Sequence, residues 1–320
     1  MKRKRNLKSM VLLAAVAAGI TFSSCNKDTD TIPDLDTTTN TITDIVVAGE
    51  DFSILESAVV KADLQGTLRG TGPFTVFAPD NDAFAAAGIS ASTINSLSAS
   101  DLESLLLYHT LNGEVKAADV PAGPNAKVVT ANGDSVFVTS NTNGVFVNGI
   151  KVKTADVDAD NGVVHVLSKA LTPASGNTVE TAVASGLDSL VKAVTTATNA
   201  TGGDPTLAST LSTATLTVFA PTNAAFTQLL TDLSLTDIND IPIQTLLDVL
   251  QYHVVPGRAF SSDLTNGPLG MLAGGNTTID LSNGATITGT NNGTNSSTIT
   301  ATDIMTTNGV VHLIDRVLLP

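Results

Sequence analysis

The chain contains only four histidines and two tyrosines, and all six fall in two short patterns that each occur twice. They are Tyr108 with His109, Tyr252 with His253, His165 and His312. Histidine can act as a general acid, a general base or a metal ligand near neutral pH. Each histidine here, however, lies on an apolar helical stripe or in an apolar strand, and no aspartate or glutamate stands beside it at metal-ligand spacing. Because burial keeps a histidine neutral, we predict hydrogen-bonded structural histidines, with no catalytic, metal-binding or cofactor-binding residue.

Three alternating acids, Asp156, Asp158 and Asp160, resemble the start of a calcium loop. An EF-hand loop needs glycine at position six and glutamate at position twelve, where this chain has Asn161 and Leu167. A strand followed by a turn is therefore favoured, with weak calcium binding as the alternative. The chain also lacks a nucleophile elbow, a phosphate-binding loop and a dinucleotide fingerprint. An enzyme is not expected, and a hydrolase acting on surface polymer is the weakest alternative.

The single cysteine, Cys25, follows a basic run and an apolar stretch at residues 9–22 that is short for a membrane span. This layout resembles a bacterial lipoprotein signal, so we predict a signal peptide at 1–25 with lipidation of Cys25. An ordinary secretory signal with an incidental cysteine is the alternative. Residues 26–40 are polar and acidic, which predicts a flexible tether. The Lys-Asp-x-Asp sequence at 27–30 resembles a signal that some Gram-negative lipoproteins use to reach the outer face of the outer membrane, so we predict a lipid-anchored protein of the outer membrane that faces the cell exterior.

The charge of the chain restricts its partners. The formal net charge is −14, and five of the sixteen cations lie in the first eight residues. Loss of that end would leave eleven cations against thirty acids. Such an acidic chain is not expected to bind nucleic acid or an anionic membrane surface. Membrane contact is expected through the N-terminal lipid only.

A decapeptide at residues 75–84, TVFAPDNDAF, returns at 217–226 as TVFAPTNAAF. A repeat at this distance has the size of a small domain. The decapeptide predicts an apolar strand that ends at Pro79 or Pro221. Asp80 or Asn81, and in the second copy Thr222 or Asn223, then caps a helix that carries a phenylalanine.

The flanking patterns place helices before and after the decapeptide. Apolar residues at helical spacing predict a helix of about three to four turns within 42–64, and a helical pattern returns at 179–194. A capping box at residues 100–103 predicts that Ser100 starts the helix that ends near His109. Asp240 and Pro242 are predicted to open the matching helix, with the proline in its first turn.

The second part of each copy changes to period two. Short Val-rich runs separated by Asn132-Gly133 and Asn148-Gly149 predict hairpins. Residues 162–167 carry apolar side chains on both faces and predict a buried strand. Residues 277–302, rich in Thr, Asn and Gly, predict further strands with a turn at residues 283–284. The link at residues 174–178 is short, so two domains in fixed relation are expected.

These duplicated motifs resemble those of the fasciclin (FAS1) family. The Thr-Val-Phe-Ala-Pro block, the Tyr-His pair and the Asn-Gly-Val-Val-His block ending in Leu-x-Pro occur in that order in both copies. The second block keeps the family's aspartate as Asp315, whereas the first copy has Ser168 there. The resemblance implies an α+β fold of two tandem FAS1 domains, each a twisted β-wedge with packed helices, at residues 41–173 and 177–320.

The family resemblance also implies a role in adhesion. We expect a cell-surface adhesion or binding lipoprotein whose FAS1 domains meet an extracellular protein or carbohydrate ligand. A periplasmic structural lipoprotein is the alternative. Residues 277–302 and the loop at 202–205 differ between the copies, so ligand specificity is expected there.

Overall fold

The computed structural model describes residues 39–320. The predicted signal peptide, Cys25 and nearly all of the predicted tether lie outside these residues. The described part contains two successive sets of helices and strands, each organised around one seven-stranded sheet. The predicted α+β class is confirmed, and one set of elements corresponds to each copy of the repeated motifs.

The first domain begins with helices and continues with strands. Its helices are α1 Ile42–Ala48, α2 Ser53–Lys61, α3 Gln65–Leu68, α4 Asn81–Ala86, α5 Ala91–Ser96 and α6 Ala99–Tyr108. Its strands are β1 Phe74–Pro79, β2 Thr110–Asn112, β3 Gly123–Val129, β4 Ser135–Asn141, β5 Gly144–Val147, β6 Ile150–Ala159 and β7 Gly162–Leu167.

The second domain repeats this order. Its helices are α7 Thr178–Ala184, α8 Asp188–Asn199, α9 Leu207–Thr213, α10 Asn223–Asp232 and α11 Ile243–Gln251. Its strands are β8 Leu216–Pro221, β9 Val254–Pro256, β10 Gly267–Gly270, β11 Asn276–Asp280, β12 Thr286–Thr288, β13 Ser297–Met305 and β14 Gly309–Ile314.

The two sheets share one topology. The first runs β2-β1-β7-β6-β5-β4-β3, and the second, read in the same direction, runs β9-β8-β14-β13-β12-β11-β10. Strands β1 and β7 are parallel, as are β8 and β14, whereas the other pairs are antiparallel. The decapeptide and the Asn-Gly-Val-Val-His block therefore form the parallel centre of each sheet.

Each parallel pair separates two apolar cores because its side chains alternate between the faces. In the first domain, Val76 and Val164 pack with the helices. Phe77 and Leu167 pack with the hairpin strands on the other side. The second domain has the same division. The prediction of a strand buried on both faces is confirmed for β7, where five of six residues are buried.

The start of each parallel pair requires glycine. A Cβ atom on Gly162 would lie 2.0 Å from the carbonyl oxygen of Phe74. The same atom on Gly309 would lie 1.9 Å from the oxygen of Leu216. Both distances are shorter than any real Cβ contact. The Asn-Gly step of the motif thus permits the close approach of the two strands.

The helical segments predicted within 42–64 and at 179–194 are each divided into two helices. Helix α1 ends at Gly49, whose backbone is extended, and a 3-10 turn precedes α2. In the second domain Gly186 adopts φ +66° between α7 and α8. Positive φ favours glycine at position 186, whereas at position 49 a Cβ atom would lie 2.5 Å from the ring of Phe52. In each domain the chain bends there, and both helices cover the sheet.

Two predicted helix starts are also corrected. Helix α6 begins after Ser98, whose side chain accepts from the N–H of Asp101, so Ser100 is not the cap. Pro242 occupies the N-cap of α11 rather than its first turn. Ser98 has extended backbone and a hydroxyl that accepts from the first turn, as an N-cap residue does. Pro242 makes no side-chain cap bond.

The strand-to-helix corner is confirmed in both domains. Strands β1 and β8 end at Pro79 and Pro221. The caps are Asp80, which accepts from Ala83, and Thr222. The asparagine that follows each cap is the first residue of the next helix and binds a different element, as described below. The predicted hairpins and the turn at residues 283–284 are also present.

Candidate functional site

His109 and His253 link the end of a helix to the last segment of each domain. His109 Nδ1 lies 2.9 Å from the carbonyl oxygen of Leu105 and donates to it, while Nε2 accepts from the N–H of Leu171 at 2.9 Å. His253 makes the same two bonds, at 2.7 Å to the carbonyl four residues earlier and at 2.8 Å from the N–H of Leu318. Both rings are buried, so both carry their proton on Nδ1.

His165 and His312 carry their proton on Nε2, unlike His109 and His253. Each accepts a backbone N–H on Nδ1, from Asp156 at 3.2 Å and from Asp303 at 3.3 Å. Each donates from Nε2 to a loop carbonyl, that of Val115 at 2.8 Å in the first domain and at 3.0 Å in the second. All four histidines therefore use both nitrogens on backbone groups.

The pKa values agree with this geometry. Burial lowers the pKa of His109 to about 4, opposed by the hydrogen bond to Leu105. Burial likewise lowers the pKa of His253 to about 4. The pKa of His312 is also lowered, chiefly by burial, with Asp303 acting in the opposite direction. Within residues 39–320 no three His, Cys, Asp or Glu side chains lie close enough together to hold a metal ion.

The two tyrosines bind different partners. Tyr108 donates to the carbonyl of Ser135 at 3.3 Å and accepts from Asn148 at 3.0 Å. Burial raises the pKa of Tyr108 to about 12. Tyr252 donates to the carbonyl of Asn276 at 2.6 Å. Both phenols thus connect the helix end to the hairpin strands.

The motif asparagines join elements across each domain. Asn81 accepts from the N–H of Ile54 at 3.1 Å, and Asn223 accepts from the N–H of Ser189 at 2.9 Å. They hold the first turn of helices α2 and α8. These side chains, with those of the histidines and tyrosines, bind the protein's own backbone.

The three alternating aspartates do not form a loop. Asp156 and Asp158 belong to strand β6, and Asp160 lies in the turn after it. Asp156 accepts from the N–H of Ala117, and Asp158 pairs with Lys116 at 3.1 Å. Each carboxylate therefore has a separate partner. The strand-and-turn interpretation is confirmed.

A cleft of about 730 Å³ lies where the two domains meet. Strands β3 and β4 of the first domain line one side, with Lys127 and Phe137. Arg258 of the second domain lines the other side. The sequence offers no signal for this site, because its residues come from both copies and, apart from Tyr108 and Gly133, belong to none of the patterns that the sequence shows.

Arg258 is the central cation of the cleft. Its guanidinium carbon lies 4.2 Å from the centre of the Phe137 ring, a cation–π contact. Nη1 donates to the carbonyl oxygens of Thr306 and Gly309. Within residues 39–320 neither Arg258 nor Lys127 forms an ion pair. The exposed carboxylate of Asp134 also lines the cleft, where Asn132 donates to it.

Hydrogen bonds cross between the domains beside this cleft. Asn125 donates to the carbonyl of Arg258 at 2.6 Å and to the carboxylate of Asp263 at 3.0 Å. Asn141 donates to the carbonyl of Ser262 at 3.1 Å. Asn125 has φ +63°, a backbone conformation that asparagine tolerates better than most residues. The cleft thus has walls that are joined by specific polar contacts.

The regions expected to set specificity are elsewhere. Residues of β11 and β12 and of the segment 289–296 line a shallow, hydroxyl-rich depression of about 590 Å³. The loop at 202–205 forms the turn before α9. Neither region lies at the cleft between the domains.

Fold and motifs together define a pair of FAS1 modules. The Fasciclin domain model matches residues 50–173 and again residues 189–320, and the chain belongs to this family. No helix in the described residues is long and apolar enough to cross a membrane.

Several known proteins are similar to this chain. Protein sll1483 of Synechocystis is 41% identical over 137 residues, which cover 42% of this chain and 73% of that protein. The transforming growth factor-beta-induced protein ig-h3 of Sus scrofa is 34% identical over 133 residues, covering 42% of this chain but only 19% of ig-h3. A solved FAS1 domain pair from the insect cell adhesion molecule Fasciclin I aligns over 87% of this chain and 96% of that chain, at 16% identity and a TM-score of 0.38.

Proposed function

We propose that the protein is a cell-surface adhesion or binding lipoprotein, anchored through Cys25, and that its two FAS1 domains bind an extracellular protein or carbohydrate. Membership of the fasciclin family supports adhesion or binding as the general role. The layout of residues 1–25 supports the anchor. The engagement of every histidine with backbone groups supports binding rather than catalysis.

The cleft between the domains is the proposed ligand-binding face. The single observation that carries this assignment is Arg258, a half-buried cation without a carboxylate partner in the described residues. Burial lowers its pKa, yet a guanidinium stays protonated at neutral pH. Lys127 adds a second unpaired cation on the opposite wall. A carboxylate on the ligand would supply the missing partner.

The acidic surface does not prevent such binding. At physiological salt, charges separated by more than about 8 Å are largely screened. Within the cleft the two cations face the single carboxylate of Asp134, so the local balance is positive at contact distance, whereas the net charge acts mainly at long range. A charge-assisted hydrogen bond of this kind contributes about 1.5–3 kcal/mol.

Binding to an immobilised polyuronate, with a neutral glucan of similar length as the comparison, tests the cleft. Arg258→Gln should weaken binding by roughly 10-fold to 100-fold, from the energies of charged hydrogen bonds. Lys127→Gln should weaken it less, because that lysine is exposed. Lys151→Gln is the matched control, since Lys151 is an exposed lysine on β6 outside the cleft. Equal binding by all variants would remove the cleft from the proposal.

The membrane attachment and the outward orientation of the protein need a separate test. Cys25→Ala should release the protein from the membrane fraction if the lipid is the anchor. Protease added to intact cells should cut the wild-type protein if it faces outward. Protection from protease, with membrane attachment retained, would favour the periplasmic structural role.

A further inference from the structure

An apolar cavity of about 270 Å³ lies within the second domain, apart from the cleft between the domains. It is enclosed by helices α7, α8, α9 and α11 and by strands β8 and β9. Aliphatic side chains form most of its wall, among them Leu190, Val194, Leu211, Val218 and Leu250. Thr195 and Asn199 are the exposed lining residues and mark its opening.

The first domain provides an internal reference for this cavity, because matching hydrogen bonds fix the equivalent positions. Asn161 accepts from the N–H of Ile42 at 3.0 Å, and Asn308 accepts from the N–H of Thr178 at 2.9 Å. Helices α1 and α7, each of seven residues, therefore start at equivalent points. The bonds from Asn81 and Asn223 align α2 with α8 in the same way.

Smaller residues occupy the second domain at two positions of this wall. Ile42 and Val46 are fully or almost fully buried in the first core. Their equivalents in the second domain are Thr178 and Ala182, and both line the cavity. The space that isoleucine and valine fill in the first domain is thus left open in the second.

Two half-buried positions at the rim change in the opposite chemical direction, whereas the exposed Val60 of α2 is replaced by Thr195. Glu56 of α2 is replaced by Val191 of α8 at the equivalent position, and both are half-buried. Gln65 of α3 is replaced by Ala208 of α9. Val191 and Ala208 both line the cavity. A simple loss of core volume would not require apolar residues at the two half-buried positions that are polar in the first domain, whereas entry of an apolar molecule would.

We propose that this cavity binds one uncharged apolar molecule with about two fused or linked rings, or an alkyl chain of similar volume. An apolar cavity of about 150 Å³ holds benzene, so this one accommodates roughly twice that volume. A charged ligand is disfavoured because no aspartate, glutamate, lysine or arginine lines the cavity. Asn199 at the opening offers an amide for one polar group on the ligand.

The probe for this site is N-phenyl-1-naphthylamine, an uncharged two-part aromatic amine whose fluorescence rises on burial. Titration of the full chain carrying Cys25→Ser should show saturable binding of one probe per chain. Ala182→Val introduces the residue of the first domain and should weaken binding at least 10-fold while the melting temperature stays the same or rises. Because all variants share the same N-terminal segment, any probe that binds there contributes equally to each.

Two further variants complete the test. Val191→Glu restores the polar rim of the first domain at a half-buried position and should also weaken binding at least 10-fold, so it decides the matter if Ala182→Val does not fold. Val183→Ala is the matched control, because Val183 lies on α7 beside Ala182 but is 57% exposed. Absence of saturable binding, or equal affinity in the wild type and both cavity variants, would overturn the proposal.

Discussion

The protein should lose stability in mildly acidic solution because His109 and His253 are held neutral. The pKa of each is lowered by burial to about 4, from an unfolded value of 6.5. Between these values the unfolded chain takes up a proton and the folded chain does not, so stability falls as the pH decreases through 6.5. The full stabilisation is present above pH 6.5.

The magnitude follows from the difference in proton uptake. From pH 6.5 to pH 5, each histidine should cost about 2 kcal/mol, at about 1.4 kcal/mol for each pH unit. For a domain of this size, this loss lowers the melting temperature by about 7 °C. The carboxylate of Asp44, with its pKa lowered to about 2 by hydrogen bonds from Thr41, titrates below this window.

Calorimetric melts between pH 7.5 and 5 of the wild type and of His109→Gln measure this effect. The glutamine variant should be less stable at pH 7.5, since a backbone partner loses its bond. Its first-domain transition should also lose about 2 kcal/mol less on acidification than that of the wild type. Leu102→Val is the control: it costs about 1 kcal/mol in the same core and keeps the histidine, so its acid dependence should match the wild type. An unchanged acid dependence in His109→Gln would refute the assignment of the neutral ring.

Three further outcomes are expected. Gly162→Ala should destabilise the first domain by more than about 3 kcal/mol in urea unfolding, because its Cβ would lie 2.0 Å from a backbone oxygen. The control is Gly66→Ala, whose Cβ would lie in open space, and it should stabilise helix α3 by up to about 1 kcal/mol. Asn308→Ala should cost about 2 kcal/mol or more in the second domain, since it frees the N–H of Thr178 and two carbonyls that Asn308 binds. Phe226→Ala should lower the free energy of unfolding by about 3–5 kcal/mol, because that ring is 1% exposed. For Asn308→Ala or Phe226→Ala, a loss below about 1 kcal/mol would contradict the packing described.

Motifs with a local physical cause could be predicted from the sequence. The end of strand β1 at Pro79 follows from the missing donor of proline. The hairpin at Asn148-Gly149 follows from the positive φ that both residues adopt. The buried strand β7 follows from six residues with almost no polar side chain.

Predictions failed where tertiary contacts override a local pattern. Residues 42–64 have helical periodicity throughout, yet Gly49 ends the first helix, and the side chain of Phe52 occupies the space that a Cβ there would need. Ser100 has the spacing of a capping box, yet the hydroxyl of Ser98, two residues earlier, caps the helix instead. Periodicity reports which residues face a core, but it does not report where the chain must turn to keep facing it.

The sequence by itself determined the family, the duplication and the buried, neutral character expected of the histidines, because repeated motifs and apolar spacing are properties of neighbouring residues. Only the tertiary structure decided which backbone groups each histidine ring binds, since Leu171 and Leu318 lie 62 and 65 residues beyond their histidines. It also decided the two places where a ligand could bind. Arg258 meets Phe137 only across the contact between the domains, and Ala182 lines a cavity only because four helices and two strands enclose it.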